Sequence, residues 1–327
     1  MNRLWELRLD NAAEWLVRQG FATAGAEFSE LGGGVSNTVI LASAPEFRIV
    51  LKQALGQLRV AEVWRADPDR ILREAEAMDW VARLPGASFA PSLRARDADN
   101  RVIAMEAAPC GAEMWKALLF RGEIHEEHAR RAGAMLGRIA SASWNRAEAR
   151  QAFGNREAFD QLRTDPYYRF TAERYPEVKG YFEELIDRSE KRAVSLTHGD
   201  WSPKNLLVWD GGMWAIDWEC AHFGDPSFDA AFLLNHLVLK SIAMPRYRER
   251  FAASAHAFGE ALRESLPEEG GWVLDGALEH APALLLARVD GKSPAEYLDE
   301  SGRETARRIA LRLMARPVKE IGGLFGI

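Results

Sequence analysis

The chain has 327 residues, 47% of them hydrophobic, more than one simple core usually organises, so two lobes are expected. Lys and Arg total 42 against 48 Asp and Glu, a net charge of −6 with no basic block, which argues against nucleic acid and anionic membrane as partners. No apolar run approaches a membrane span, and the opening MNRLWELRLD carries charges where a signal peptide needs an apolar core. A soluble, cytoplasmic protein is expected, with Cys110 and Cys220, which fit no zinc spacing, as free thiols.

The first helix is expected between Asp10 as N-cap and Gly20 as stop, with Ala12, Trp15 and Leu16 on one face. Strands follow at Glu27–Leu31 and Thr38–Ala42, around the turn Gly32-Gly33-Gly34-Val35-Ser36-Asn37. Glycine lets such a turn lay backbone N–H groups against phosphates. By itself the turn reads equally well as a merely flexible one, since it matches neither a dinucleotide fingerprint nor a Walker loop. A third strand, Arg48–Gln53, puts Ile49 and Leu51 on one face and Val50 and Lys52 on the other.

Asp67 as cap and Pro68 at the first helical position start a helix to about Arg83, stopped by Pro85-Gly86. Ile71, Ala75, Met78 and Ala82 form its buried stripe, and Glu74 lies beside that stripe, placed to pair with Lys52; Glu76 competes for that role. Val102–Met105 reads as the last strand of a first lobe, and Glu106–Gly111 as the crossing to a second.

From Ala112 the pattern is helical, most clearly at Ile124, Ala132, Met135, Leu136 and Ile139. His125 and His128 lack further ligands and read as surface residues. Trp144–Lys191 is helical but irregular, with a break at Asp165-Pro166-Tyr167-Tyr168. Ala230–Leu239 is too long for a strand and reads as a buried helix. The remainder is helical to Ile327, with a break at Asp290-Gly291-Lys292-Ser293-Pro294.

The chemistry concentrates between Leu196 and Asp229. Leu206–Trp209 and Met213–Ile216 flank Asp210-Gly211-Gly212, which predicts a hairpin. With a three-residue loop, Trp209 faces Met213 and Asn205 faces Asp217, with Cβ atoms roughly 4.5–5.5 Å apart. A carboxamide and a carboxylate so placed suit a hard cation such as Mg²⁺. Glu219 returns to the same face as a candidate third ligand. Asp200 precedes the hairpin, where a base belongs. Asp225 and Asp229 are expected to cap the next helix or to accept loop N–H groups. Trp201, Trp209, Trp214 and Trp218 read as core, with Trp201 the one close enough to the base to stack on a sugar.

His198-Gly199-Asp200, then Asn205, then Asp217 after a short hairpin, resembles the catalytic loop and metal-binding Asp of the protein-kinase-like fold. Gly199 after His198, Asp217-Trp218-Glu219 and Phe223–Asp229 are similar to its small-molecule branch, the aminoglycoside phosphotransferase and choline kinase group. Lys52–Leu55, Leu58-Arg59-Val60, Trp64, Asp69-Arg70 and Glu74–Ala77 look most like the methylthioribose kinases.

The resemblance implies an α+β, bilobal kinase-like fold: a small β-rich N-lobe, residues 1–108, and a larger, mostly helical C-lobe, 109–327. It implies an ATP- and Mg²⁺-dependent kinase acting on a hydroxyl of a small metabolite. Asp200 would be the base, with His198 bracing its loop. Asn205, Asp217 and Glu219 would hold the metal. Ser36, Lys52 set by Glu74, and the crossing residues Glu106, Ala107 and Ala108 would bind nucleotide. Inserted helices between Trp144 and Lys191 would shape the acceptor pocket, for which a neutral sugar ranks above an aminoglycoside- or choline-like cation. Ser202 two after the base, where protein kinases have lysine, and Trp218-Glu219 after Asp217 depart from a protein kinase. Arg288 has no adjacent arginine, a departure from the methylthioribose kinases. A catalytically silent, nucleotide-binding sensor is the alternative.

Overall fold

The computed structural model describes residues 5–32, 36–59, 64–85 and 89–326. They form two compact units, one comprising Met1–Gly111 with Ile216–Cys220, the other Ala112–Ala215 with Ala221–Ile327.

The first unit is built on an antiparallel sheet of β1 (Glu27–Glu30), β2 (Asn37–Ala44), β3 (Phe47–Ala54), β4 (Leu93–Asp97) and β5 (Val102–Glu106), in the order β1-β2-β3-β5-β4. Strand β4 carries no strand signal in the sequence, because three of the five residues of LRARD are charged. Its Arg94 and Arg96 are exposed, as suits an edge strand that must not pair further. Ile40, Ile49, Leu51 and Val102 pack with Trp15 and Leu16 of α1 (Ala12–Arg18). The cap of α1 is Asn11, not Asp10, and the Asn11 side chain accepts the Arg8 N–H at 2.8 Å.

Helix α2 (Arg70–Val81) packs on β3, β4, β5 and Trp218–Cys220. Asp67 Oδ1 accepts the Asp69 N–H at 2.9 Å and shapes the turn that starts it. Alternation along β3 sends Ile49 and Leu51 to the α1 side and Lys52 to the other, where Lys52 meets Glu74 of α2. Gly33, Gly34 and Val35 of the glycine turn lie outside the described residues.

In the second unit β6 (Glu113–Met114) leads into α3 (Trp115–Phe120), α4 (Glu126–Ser143) and α5 (Ala147–Phe153). The stretch expected to break at Pro166 does not. It runs as α6 (Glu157–Phe159), a π-helical segment Asp160–Arg169 and α7 (Phe170–Arg174). A π-turn widens the backbone, so proline's missing N–H and ring are accommodated without ending the helix. Helix α8 (Lys179–Lys191) follows.

Strands β7 (Ser195–Thr197) and β10 (His222–Gly224) pair with each other, and β8 (Leu206–Trp209) pairs with β6 and β9 (Gly212–Ala215). The hairpin differs from the expected one by one residue: Trp209 faces Gly212 and Leu206 faces Ala215. Its loop is Asp210-Gly211, with Gly211 at φ +82°, the two-residue Asp-Gly turn that matches strand twist. Gly212 joins the strand, where only glycine fits, since a Cβ there would stand 2.2 Å from the Trp209 ring. The ladder therefore does not set Asn205 opposite Asp217.

Helix α9 (Pro226–Ala243) is longer than the expected Ala230–Leu239 and nearly all buried. Asp225 caps it, accepting the Ser227 N–H at 2.9 Å, with Pro226 at the first position. It packs against α10 (Arg248–Ser265), α11 (Val273–Asp290) and α12 (Glu300–Ala315), and α10 against α4. The expected break follows Asp290. Among the described residues no helix is long and apolar enough to cross a membrane.

Candidate functional site

Lys52 centres a charged cluster of the first unit. It is 6% exposed, Glu74 is fully buried, and Nζ donates to both Glu74 oxygens, at 2.9 and 2.7 Å. Nζ also pairs with Asp217. Burial pushes the ammonium down, but the carboxylates of Asp217, Glu74 and Glu219 more than reverse this and hold Lys52 protonated. Burial likewise pushes the Glu74 carboxyl above the ordinary range, against the pull of Lys52. Glu76, the competitor, pairs instead with Arg73 and Arg96.

Glu219 Oε2 takes Arg70 Nε at 3.1 Å and Asn37 Nδ2 at 2.9 Å. Arg70, four residues before Glu74 on α2, also donates to the Ser36 and Leu55 carbonyls, at 2.7 and 2.9 Å. Oxygens of Glu74, Asp217 and Glu219 lie within 4.8 Å of one another. Three carboxylates thus face two cations, Lys52 and Arg70. That all-oxygen set with surplus negative charge fits a hard divalent cation. Asp217 sits at φ +68°, which costs an L-residue roughly 1 kcal/mol; the Lys52 pair helps hold it there.

The catalytic-loop candidates belong to the second unit. Asp229, fully buried on α9, accepts the His198 N–H at 2.6 Å and the Gly199 N–H at 2.8 Å. The Asp200 N–H donates to His198 Nδ1 at 3.1 Å, and Gly199 between them is at φ +79°, a conformation open to glycine. His198 is thus engaged as a brace. Asn205 Nδ2 donates to the Asp200 carbonyl at 3.0 Å, so Oδ1 is what its carboxamide can offer a cation.

The Asp200 carboxylate receives two cations, Arg163 Nη2 at 2.8 Å and Lys204 Nζ at 2.9 Å. Arg163 Nε also donates to the Gly199 carbonyl at 2.7 Å. Neither cation was singled out in the sequence. Lys204, immediately before Asn205, was open to recognition from its spacing. Arg163 was not: it lies two residues before the expected break at Asp165, in an irregular helical stretch with no motif to mark it.

Other candidates are more committed elsewhere. Ser36 Oγ accepts from Asn37 Nδ2 at 2.8 Å. In the crossing, the Glu106 N–H goes to the Ser92 carbonyl and the Ala107 N–H to the Arg48 carbonyl. The Ala108 carbonyl accepts from the Arg48 guanidinium at 2.9 Å. Trp201 is 1% exposed and packs edge-on against His198; it is core. Neither Cys110 nor Cys220 is in a disulfide.

Residues 27–266 match the model described as phosphotransferase enzyme family. Methylthioribose kinase of Yersinia enterocolitica serotype O:8 / biotype 1B is 28% identical over 248 residues, which cover 66% of this chain and 61% of that protein. The Citrobacter koseri methylthioribose kinase is 29% identical over 248 residues, 67% of this chain and 61% of its own. The match thus spans about 61% of the length of these relatives.

A choline/ethanolamine kinase family protein from Mesorhizobium loti shares the fold with a TM-score of 0.58 at 14% identity, over 98% of both chains. Amicoumacin kinase hAmiN, solved in complex with AMP-PNP, Ca²⁺ and Ami, does so at 0.58 and 14%, over 94% of both. The fold is the α+β fold of these kinases, β-rich in the first unit and helical in the second.

Proposed function

This chain belongs to the phosphotransferase enzyme family, and from that premise we propose that it is a kinase moving the γ-phosphoryl group of ATP to a hydroxyl of a small metabolite. The observation that carries the reading is the Lys52 ammonium gripped by both Glu74 oxygens inside a buried, oxygen-rich cluster. Such an arrangement fixes a cation where nucleotide phosphates need one.

Lys52 holds the α- and β-phosphates, oriented by Glu74. Asp217 and Glu219, with Asn205, would hold Mg²⁺, which would supply positive charge to neutralise the phosphates. Ser36 and the crossing from Glu106 to Ala108 would contact the nucleotide through groups other than those already bonded within the chain. Asp200 orients the acceptor hydroxyl and takes its proton, and His198 and Asp229 fix the backbone around it. Phosphoryl transfer asks mainly for position and charge neutralisation, which these groups supply. The enzyme works in the cytoplasm.

The test is ATP turnover with Mg²⁺ against a panel of methylthioribose, other pentoses, aminoglycosides, choline and a generic protein substrate. Stimulation by a small hydroxyl compound is expected; stimulation by the protein alone would overturn the reading. A second reading, a nucleotide-binding sensor, draws on the two cations that tie down Asp200. Nucleotide binding without turnover of any acceptor would favour it.

A further inference from the structure

A line of cationic and unpartnered polar groups leads away from Asp200 inside the second unit. Arg163, paired with Asp200 at 2.8 Å, lies over the rings of Tyr167 and Phe232, 5.7 and 5.6 Å from their centroids. Arg288 of α11 donates to the Tyr167 hydroxyl at 3.4 Å. On α9, Phe232, His236 and Lys240 recur at four-residue spacing and so form one stripe, and the Phe232 and His236 rings are 5.3 Å apart. At the end of that stripe the Lys240 ammonium sits 5.4 Å from the Phe120 ring centroid and 5.3 Å from that of Tyr297.

Lys240 is 1% exposed, and among the described residues no carboxylate pairs with it. Placing an ammonium in that setting is strongly unfavourable, and aromatic faces offset only part of that. Other polar atoms of this region are also unsatisfied: among the described residues His236 Nδ1, the Tyr297 hydroxyl and Arg288 Nε lack a hydrogen-bond partner, although Arg288 Nη1 donates to Ser293 Oγ at 2.7 Å. Buried polar atoms are rarely left so. Lys116 stands near, its N–H bonded to the Pro203 carbonyl at 2.8 Å, next to Lys204. The field is visibly positive: burial, then Lys116 and Arg288, push the Lys240 ammonium down to about 7. Burial and the same cations, with Lys240 and Lys204, depress His236. The acidic groups facing this field are Asp200, already paired, and Glu296 near Lys116.

We propose that the acceptor substrate is an anion, a hydroxyl compound whose carboxylate or phosphate group is received by Lys240, His236 and Arg288 while its hydroxyl is presented to Asp200. This rests on the phosphotransferase reading and sharpens it, since it separates this protein's substrate from a neutral sugar or a choline-like cation. An anion would satisfy the stranded donors together, in a setting where charge-assisted bonds are strong.

Binding is measured by calorimetry without nucleotide, so that it is independent of turnover, with D-glycerate and glycerol 3-phosphate as carboxylate and phosphate probes and with glycerol, ribose and choline as neutral and cationic controls. The anionic probes are expected to bind at least about tenfold more tightly than the controls, a difference matching one charge-assisted hydrogen bond. Lys240→Met, its fold checked by circular dichroism, is expected to lose that preference. His236→Gln serves as a second variant, expected to weaken anion binding without abolishing the fold. Which probe binds better tells carboxylate from phosphate. Equal or tighter binding of glycerol, ribose or choline, or an anion preference that both variants retain, overturns the proposal. Failure to bind Mg·ATP, measured separately, would instead count against the phosphotransferase reading.

Discussion

Arg163 Nη2 lies 2.8 Å from Asp200 Oδ2, and its Nε holds the Gly199 carbonyl at 2.7 Å. One guanidinium thereby fixes both the side chain and the backbone of the loop assigned to phosphoryl transfer. Arg163 comes from the π-helical segment around Pro166, so an irregular turn in one element sets the geometry of another. A fork of donors restrains a carboxylate better than a single ammonium does.

Asp200→Ala is expected to lower kcat by roughly 10²–10⁴-fold, the range of a positioned acid–base group, while Mg·ATP affinity changes by only a few fold. Steady-state kinetics and calorimetry on one preparation check this. An affinity loss as large as the rate loss would make Asp200 a metal ligand.

Asp217→Ala should abolish Mg²⁺-dependent nucleotide binding, and Glu219→Ala should weaken it less. Glu219 already shares one oxygen between Arg70 and Asn37, whereas Asp217 is joined directly to Lys52. Titrating Mg²⁺ at fixed ATP distinguishes them; identical metal dependence in wild type and Asp217→Ala would sink the assignment.

Asp229 ties the loop to α9, and its carboxyl is pushed up to about 7 by burial, against the two backbone N–H donors. Its folded pKa exceeds the ordinary value of 3.8, so the folded state binds the extra proton between the two. Stability is therefore expected to fall as pH rises from about 4 to about 7, by at most about 1.4 kcal/mol per pH unit. Asp229→Asn should flatten that slope and destabilise by roughly 1–3 kcal/mol, because its amide can no longer accept both N–H groups. Urea melts across this pH range read both effects.

For Lys240 the sign reverses. Its folded pKa of about 7 lies below the ordinary 10.5, so the unfolded chain holds more protons between those values and stability rises with pH there. Lys240→Met is expected to remove this rise and, near pH 7 without ligand, to stabilise the protein by at least about 1 kcal/mol. Thermal melts at pH 7 and pH 9.5 decide it: a variant less stable at pH 7 would show that the ammonium has a partner.

Local pattern was enough for much of this protein. Alternation along Arg48–Gln53 and the helical stripe from Ile71 to Met78 already brought Lys52 toward Glu74, because strand and helix periods dictate which side chains share a face. The His198-Gly199-Asp200 run and Asn205 marked the loop, and Asp225 stood out as a cap of the next helix or an acceptor of loop N–H groups. Short periods and turn chemistry are properties of neighbouring residues, so one chain reveals them.

What only tertiary structure decided was which distant charges meet. The hairpin closes on a two-residue Asp210-Gly211 turn, so Trp209 faces Gly212, and the Trp209 ring lies where a Cβ of residue 212 would stand. Arg70 on Glu219, Arg163 on Asp200 and Asp229 beneath His198 join residues far apart in sequence. Their pairing depends on burial, which makes an unpaired charge intolerable, and burial is a property of the packed whole. Lys240 shows the same limit from the other side: in sequence it is one more lysine near a helix end, and only the packing of α9 among aromatic rings and other cations leaves it stranded.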